Sequence, residues 1–168
     1  MKLEFIIPQE NVLNVNQRKH WRTHQEPKKY LKNLGIKTAI ENHSHKELAQ
    51  KKADSLLQWE HYSYLKAKHT KDKKAGKATI QPTPPEETPQ CPPQYTKCAV
   101  IVTITPPTKR RFDPPNIYPT VKPIIDGLTI GSFWEDDNTE HITSMTFTHD
   151  TSNPIKGCYV ITLEILPQ

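Results

Sequence analysis

The residues best suited to chemistry lie in two short acidic motifs in the second half of the chain. The first, Arg110-Arg111-Phe112-Asp113, follows a predicted buried strand, and the second, Trp134-Glu135-Asp136-Asp137, precedes another. Residues at the ends of regular elements can be aimed by a rigid scaffold into one shared site. Carboxylates beside arginines would suit a divalent cation facing a phosphodiester, because Mg²⁺ prefers carboxylate oxygens and arginine binds phosphate through two parallel hydrogen bonds.

A lysine and an aspartate lie between these motifs. On a helix, Lys122 and Asp126 would lie on the same side, next to a stripe of apolar residues at helical spacing. Each feature also has an ordinary interpretation when it is taken alone. Asp113 would be a turn residue before proline, Asp136-Asp137-Asn138 a solvated turn, and Lys122–Asp126 a surface ion pair. The hypothesis of a site therefore depends on all of them occurring together.

The elements that would position these residues follow an α+β pattern. Two Ser/Thr-x-x-Glu sequences predict helix starts at Thr23 and Ser44. A short helix is predicted in Tyr118–Leu128, and Pro119 and Pro123 indicate that it begins near Thr120, which leaves Pro123 in its first turn. Alternating β-branched residues predict strands. These strands are Lys2–Ile7, Cys98–Thr105, Ile142–Thr148 and Cys158–Ile165. The order predicts an α+β fold with a small mixed β-sheet and helices packed on one face.

The length of 168 residues predicts a single domain over residues 1–168, interrupted by an insertion at residues 42–95. The insertion is predicted to be helical over residues 45–65 and flexible over residues 66–95. Lys66–Lys77 contains six lysines and Pro82–Pro93 contains six prolines. Neither stretch would bury enough apolar surface to offset the entropy lost on ordering, so a flexible, partly extended loop rich in Lys and Pro is expected.

Composition and charge exclude several classes of protein. The three cysteines show no metal-binding spacing, and no apolar run approaches the length of a membrane span, so a disulfide scaffold, a zinc finger and a membrane protein are disfavoured. The net charge of +5 is unevenly placed: residues 17–41 carry seven basic and two acidic side chains, whereas residues 98–168 carry five and eight. This asymmetry is typical of a front half that binds nucleic acid, although a solvated surface would show it equally.

Taken together, the motifs resemble the RusA family of Holliday-junction resolvases. The family's signature is a basic run, then Asp-x-Asp-Asn, then Lys and Asp on a helix, then Trp-x-Asp-Asp. The chain matches it with the two acidic motifs, with Lys122 and Asp126, and with Asn16–Arg22 before a helix. The resemblance covers about residues 11–41 and 96–165. Pro115 stands where the family has a second carboxylate, and three extra residues separate Asn116 from Lys122.

The resemblance implies a RusA-like, homodimeric endodeoxyribonuclease that uses Mg²⁺, with Mn²⁺ as a substitute. Its substrate would be four-way junctions or related branched DNA in phage or prophage recombination, replication or repair. It also implies a location in the cytoplasm of a bacterial host or infected cell. Catalytic roles are implied for Asp113, Lys122 and Asp137, and metal binding for Asp113, Asp137, Asp136 and Asp126. DNA binding is expected of Arg18, Lys19, His20, Arg22, Lys109, Arg110, Arg111 and Asn116.

Three alternatives stay open at the level of sequence. The first is a different metal-dependent nuclease that cuts flaps or forks; a restriction-type core is disfavoured because no predicted strand supplies its Glu-x-Lys. The second is a DNA-binding protein whose site has been silenced by Pro115 in place of a carboxylate. The third is a phage structural or adaptor protein, which would leave the acidic motif beside Arg110-Arg111 unexplained.

Overall fold

The computed structural model describes residues 1–16, 21–109 and 111–168, and these form one mixed sheet of four strands. The strands are β1 (Lys2–Pro8), β2 (Cys98–Thr105), β3 (Ile142–His149) and β4 (Cys158–Pro167). Their order across the sheet is β1-β4-β2-β3. β4 is antiparallel to both neighbours, whereas β2 and β3 are parallel because the chain between them crosses over through a helix.

Three α-helices complete the described part of the chain: α1 (Gln25–Asn42), α2 (Lys46–Lys74) and α3 (Tyr118–Ile130). α3 is the crossover between β2 and β3, and α1 packs against it. Short 3₁₀ turns lie at Gln9–Asn11, Trp21–His24 and Pro114–Ile117. None of the helices in these ranges is long and apolar enough to cross a membrane. The predicted α+β class, with helices against a small mixed sheet, is confirmed.

The core is formed mainly by the sheet and α3. Alternate residues of β1, β2 and β4 are buried, as the two-residue period of a strand requires. The apolar stripe of α3 meets them. The buried residues include Leu3, Phe5, Ile7, Val100, Val102, Ile104, Val121, Ile124, Ile125, Leu128, Ile161, Leu163 and Ile165.

Helices α1 and α3 touch backbone to backbone at two glycines. A Cβ added at Gly35 would lie 2.3 Å from the Ile124 carbonyl oxygen, and one at Gly127 would lie 2.2 Å from the Lys32 carbonyl oxygen. Both distances are far below van der Waals contact, so only glycine fits on either side of the crossing. The crossing fixes the position of α3, and Asp126 is the residue immediately before Gly127.

The predicted range of α3, Tyr118–Leu128, agrees with the structure, but the prediction that the two prolines delay its start to near Thr120 was wrong. The helix begins at Tyr118, and Pro119 lies in its first turn, where a missing N–H costs no hydrogen bond. Pro123 lies further inside the helix than the prediction allowed. The buried Thr120 hydroxyl accepts the Leu13 N–H and donates to the Leu13 carbonyl, both at 2.7 Å, and so ties the helix to the segment after β1.

The structure also corrects the boundary between the predicted helical and flexible parts of the insertion. α2 is one helix of 29 residues that ends at Lys74, so residues 66–74 are helical rather than extended. Lysine and alanine favour helices without any burial, and no proline or glycine interrupts the run before Gly76, whose φ is +72°. Residues 77–97 have no regular structure. They are held to α2 where Trp59 Nε1 donates to the Glu86 carbonyl at 3.1 Å.

Neither residue predicted to cap a helix, Thr23 or Ser44, is the N-cap residue of that helix. The N-cap residues are His24 and His45, and neither side chain makes a capping hydrogen bond. Ser44 instead donates its hydroxyl to Gln94 Oε1 at 3.0 Å. The prediction of a helix in each place was right, but the predicted capping residues were wrong. At the second helix the reason is a tertiary contact, because the Ser44 hydroxyl is hydrogen-bonded to Gln94.

Candidate metal and DNA-binding site

Lys122 is the centre of a cluster that joins the helix α3 to the loop that follows it. The Lys122 ammonium donates to Asp126 Oδ1 at 2.6 Å, one turn further along the helix. It also forms a short ion pair with Asp137 Oδ2. Two carboxylates from two different elements therefore share a single cation. The sequence predicted the first pair from its spacing, whereas the resemblance gave Lys122 and Asp137 catalytic roles without predicting an ion pair between them.

A sharp, buried turn brings Asp137 to this position. Ser132 has a φ of +63°, and it is followed by Phe133 and Trp134, which are both fully buried. The Trp134 indole N–H donates to Thr129 Oγ1 at 2.7 Å, so the turn is fixed to the last part of α3. The aromatic residues of the second motif thus anchor the loop in the core and leave its acidic residues at the surface.

The same turn is braced from outside by residues that sequence reasoning did not single out. The N–H groups of Gln94 and Tyr95 donate to the carbonyls of Ser132 and Phe133 at 2.9 and 2.8 Å. The His43 ring lies against Ser132 as well, with Nε2 at 3.1 Å from its carbonyl oxygen. No motif marks these supports in the sequence, because they are contacts to the backbone of the turn from distant segments.

The cluster is partly open to solvent. The side chains of Lys122, Asp126 and Asp137 are 39%, 42% and 24% exposed, so an ion or a phosphate can reach them. Burial would lower the pKa of Lys122, but the hydrogen bonds and negative charges of the two carboxylates outweigh it and raise that pKa well above its usual range. Lys122 is therefore a permanent cation at neutral pH.

The donor set suits a magnesium ion bound by two carboxylates. Asp126 and Asp137 already hold one cation, the lysine ammonium, and Mg²⁺ is commonly bound through one or two carboxylates while it keeps several waters. The described residues contain no group of three or more His, Cys, Asp or Glu side chains placed to hold a metal. The larger predicted ligand set is thus not gathered in this arrangement of side chains.

Neither Asp113 nor Asp136 forms an ion pair with Lys122. Asp113 is exposed and precedes the 3₁₀ turn that leads into α3, and its carboxylate makes no hydrogen bond or ion pair with any described residue. Asp136 closes its own loop, since its oxygens accept the Asp137 N–H at 2.8 Å and the Asn138 amide at 3.0 Å. The metal-binding roles of all four aspartates stay predictions, and the structure brings two of them together.

Five of the eight residues expected to bind DNA have side chains outside the part of the chain that the structure describes. Arg18, Lys19, His20 and Arg110 lie outside the described residues, as does the side chain of Arg22. Lys109 and Arg111 are exposed just before Asp113. Asn116 has a structural contact, because its carbonyl accepts the Val15 N–H at 3.0 Å and so joins the N-terminal segment to the turn before α3.

Neither a protein-family model nor a curated protein matches the chain. What the chain does is therefore inferred from its own residues, and the resemblance to the RusA family stays a prediction.

His43, which contacts the turn at Ser132, is expected to make the stability of the fold depend on pH. The ring is 2% exposed, Nδ1 accepts the His45 N–H at 2.9 Å, and Nε2 donates to the Ser132 carbonyl. Desolvation lowers the pKa of His43 below its usual 6.5, reinforced by the charges of His45 and Lys52 and only partly opposed by the carbonyl hydrogen bonds. The unfolded chain therefore binds this proton more readily, and stability is expected to fall as the pH drops below 6.5.

The contribution of His43 can be measured by urea unfolding at about pH 7.5 and about pH 5.5. His43→Gln lowers stability at both values, but it should lose less between them than the unaltered protein does. His61→Gln, a change at an exposed histidine of α2, is the control and should keep the full difference. Equal losses in all three proteins would contradict the prediction.

Proposed function

We propose that the chain is a divalent-metal-dependent endodeoxyribonuclease that cleaves branched DNA such as four-way junctions. The observation that supports this most is the pairing of Asp126 and Asp137 around one cation at an accessible surface. The exposed Lys109 and Arg111 lie in the connection between β2 and α3, the helix that carries Asp126. Carboxylates for a metal and cations for phosphates are what hydrolysis of a phosphodiester requires.

In this proposal, Asp126 and Asp137 hold Mg²⁺ or Mn²⁺, and Asp113 and Asp136 are further predicted ligands. When bound, such an ion supplies an activated water and neutralises charge on the phosphate. Lys122 stays protonated, so it acts as a positive charge and hydrogen-bond donor toward a phosphate oxygen and not as a general base. Lys109 and Arg111 bind neighbouring phosphates, and Arg111 can do so with two parallel hydrogen bonds.

The proposed enzyme acts as a homodimer in phage or prophage DNA metabolism. A four-way junction has two-fold symmetry, and paired incisions in it are matched by two copies related by a two-fold axis. This part of the proposal comes from the resemblance and from substrate geometry.

A panel of labelled DNAs tests the proposed activity. Four-way junction, fork, flap and linear duplex are incubated with the protein in Mg²⁺, in Mn²⁺ or in EDTA. We expect cleavage of the junction or another branched DNA in either metal, no cleavage in EDTA, and little cleavage of the linear duplex. An absence of cleavage of every branched DNA in both metals would refute the nuclease.

One observation favours a second candidate, a DNA-binding protein without catalytic activity. Lys122 already offsets one of the two negative charges of Asp126 and Asp137, and Pro115 stands where the RusA family has another carboxylate. Junction binding that is equally tight with and without metal, and that leads to no cut, would support this candidate.

A further inference from the structure

The second half of α2 has no part in the core of the domain. The buried residues of this helix are Ala49 and Ala53, in its first third, and Lys32 of α1 pairs with Glu60 at 2.6 Å. Beyond Glu60, the hydrogen bonds and ion pairs that the structure describes lead to neighbouring turns of α2 or to the segment after it. A helix of 29 residues is thus longer than its packing requires.

The far end of α2 has two different sides. Leu65, His69 and Asp72 are spaced by four and three residues, and the following segment lies over them: His69 Nδ1 is 2.7 Å from Thr79 Oγ1, and Asp72 pairs with Lys77 at 3.7 Å. The rest of the circumference carries four exposed lysines, which are not all on one side because Lys71 and Lys73 are only two residues apart. We call this surface the lysine face, and it consists of Lys66, Lys71, Lys73 and Lys74.

The lysine face concentrates positive charge that no described carboxylate pairs, although Lys66 Nζ lies 6.0 Å from the centre of the Tyr62 ring. Its four side chains are exposed, and none forms an ion pair with a described residue. Between Lys66 and Lys74 the only acidic residue is Asp72, which is engaged on the other side by Lys77. Like charges on neighbouring turns of a helix are unfavourable, and a bound polyanion would relieve that repulsion.

We infer that the lysine face binds the phosphate backbone of duplex DNA, as a surface separate from the Lys122 cluster. From Lys66 to Lys74 the helix rises about 12 Å, a length over which duplex DNA presents roughly seven phosphates. The major groove of B-form DNA is wide enough to admit an α-helix, whereas the deep, narrow groove of A-form RNA is not. This surface goes beyond the proposed function, because it concerns binding and requires no cleavage.

The composition of this helix end argues against a membrane as the partner. A helix that lies on a membrane presents large apolar or aromatic residues along one side and lysines along the other. Between Lys66 and Lys74 the only apolar residue is Ala67, and Leu65 lines a surface pocket together with the segment from Ala78 to Pro82. The lysines are therefore left to attract anions in solution.

The test compares two variants of the full chain with the same change in charge. The first replaces Lys66, Lys71, Lys73 and Lys74 by glutamine. The second makes the same change at four exposed lysines that also form no ion pair, Lys46, Lys51, Lys97 and Lys156. Binding to a linear duplex of about 30 base pairs is measured in EDTA from about 50 to 200 mM salt, and circular dichroism verifies that both variants are folded.

We expect the lysine-face variant to bind the duplex about tenfold or more weakly and with a shallower salt dependence, by up to about 3.6 in the logarithmic slope. The control variant should stay close to the unaltered protein. Equal binding by all three proteins would overturn the inference, and so would equal weakening in both variants. Binding to vesicles containing phosphatidylserine that depends on the lysine face, without such dependence for DNA, would also overturn it. Because EDTA prevents metal-dependent cleavage, failure of the proposed nuclease would leave this result unaffected.

Discussion

Asp137→Asn is expected to reduce metal-dependent cleavage of a four-way junction by about 10³-fold or more. The change keeps the size of the side chain and removes one of the two carboxylates that share a cation with Lys122. A metal site that stabilises the transition state by several kcal/mol loses about tenfold in rate for every 1.4 kcal/mol. Single-turnover cleavage rates at saturating protein measure the effect without interference from binding.

The matched control for this prediction is Glu135→Gln. It makes the same change of charge in the same loop, at an exposed residue that forms no ion pair with any described residue. We expect it to keep its activity within a few fold. A second readout is independent of catalysis: millimolar Mg²⁺ should raise the melting temperature of the unaltered protein and of Glu135→Gln more than that of Asp137→Asn. Cleavage by Asp137→Asn at a rate near that of the control would remove Asp137 from the proposed site.

Gly127→Ala is expected to destabilise the fold by about 3 kcal/mol or more, a large effect for a single methyl group. The new Cβ would lie 2.2 Å from the Lys32 carbonyl oxygen and 2.8 Å from the Ile36 nitrogen. These are backbone atoms of α1, so no side-chain rotation can relieve the clash, and the two helices would have to separate. Thermal or urea unfolding should show the loss as a fall in melting temperature of about 6–12 °C.

Gly157→Ala is the control for Gly127→Ala, because it introduces backbone strain without crowding a neighbouring atom. Gly157 has a φ of +76° and no atom within 4 Å of an added Cβ, so alanine there meets an unfavourable conformation but no neighbour. Its expected cost is about 1 kcal/mol. If Gly127→Ala were no more destabilising than Gly157→Ala, the close crossing of α1 and α3 would not hold in solution.

The elements of the fold were largely predictable because their signals are local. Alternation of β-branched residues gave the four strands within a few residues, and the stripe from Val121 to Leu128 gave α3. The extent of α2 was missed because the prediction weighed how much apolar surface Lys66–Lys77 could bury. Intrinsic helix propensity needs no burial, and it carries this helix to Lys74.

The candidate site was predictable only in the part that lies on one element. The spacing of Lys122 and Asp126 fixes their contact on any helix. The approach of Asp137 depends on the left-handed turn at Ser132 and on the burial of Trp134, which no periodicity signals. The bracing of that turn by His43 and by residues 94–95 joins segments between 38 and 89 positions apart in the chain. Contacts of this kind follow from the whole fold and leave no local pattern.

The position of Lys122 affects whether the protein needs a bound ion in order to fold. With its ammonium between Asp126 and Asp137, the three side chains carry a combined charge of −1, so the chain can fold without first acquiring an ion. The Lys122 ammonium belongs to the same helix, α3, as Asp126. Because it is covalently attached there, it cannot diffuse away as a free ion would. In the proposed function, a dication would have to displace this ammonium, so metal occupancy would rise and fall with the free metal concentration rather than be permanent.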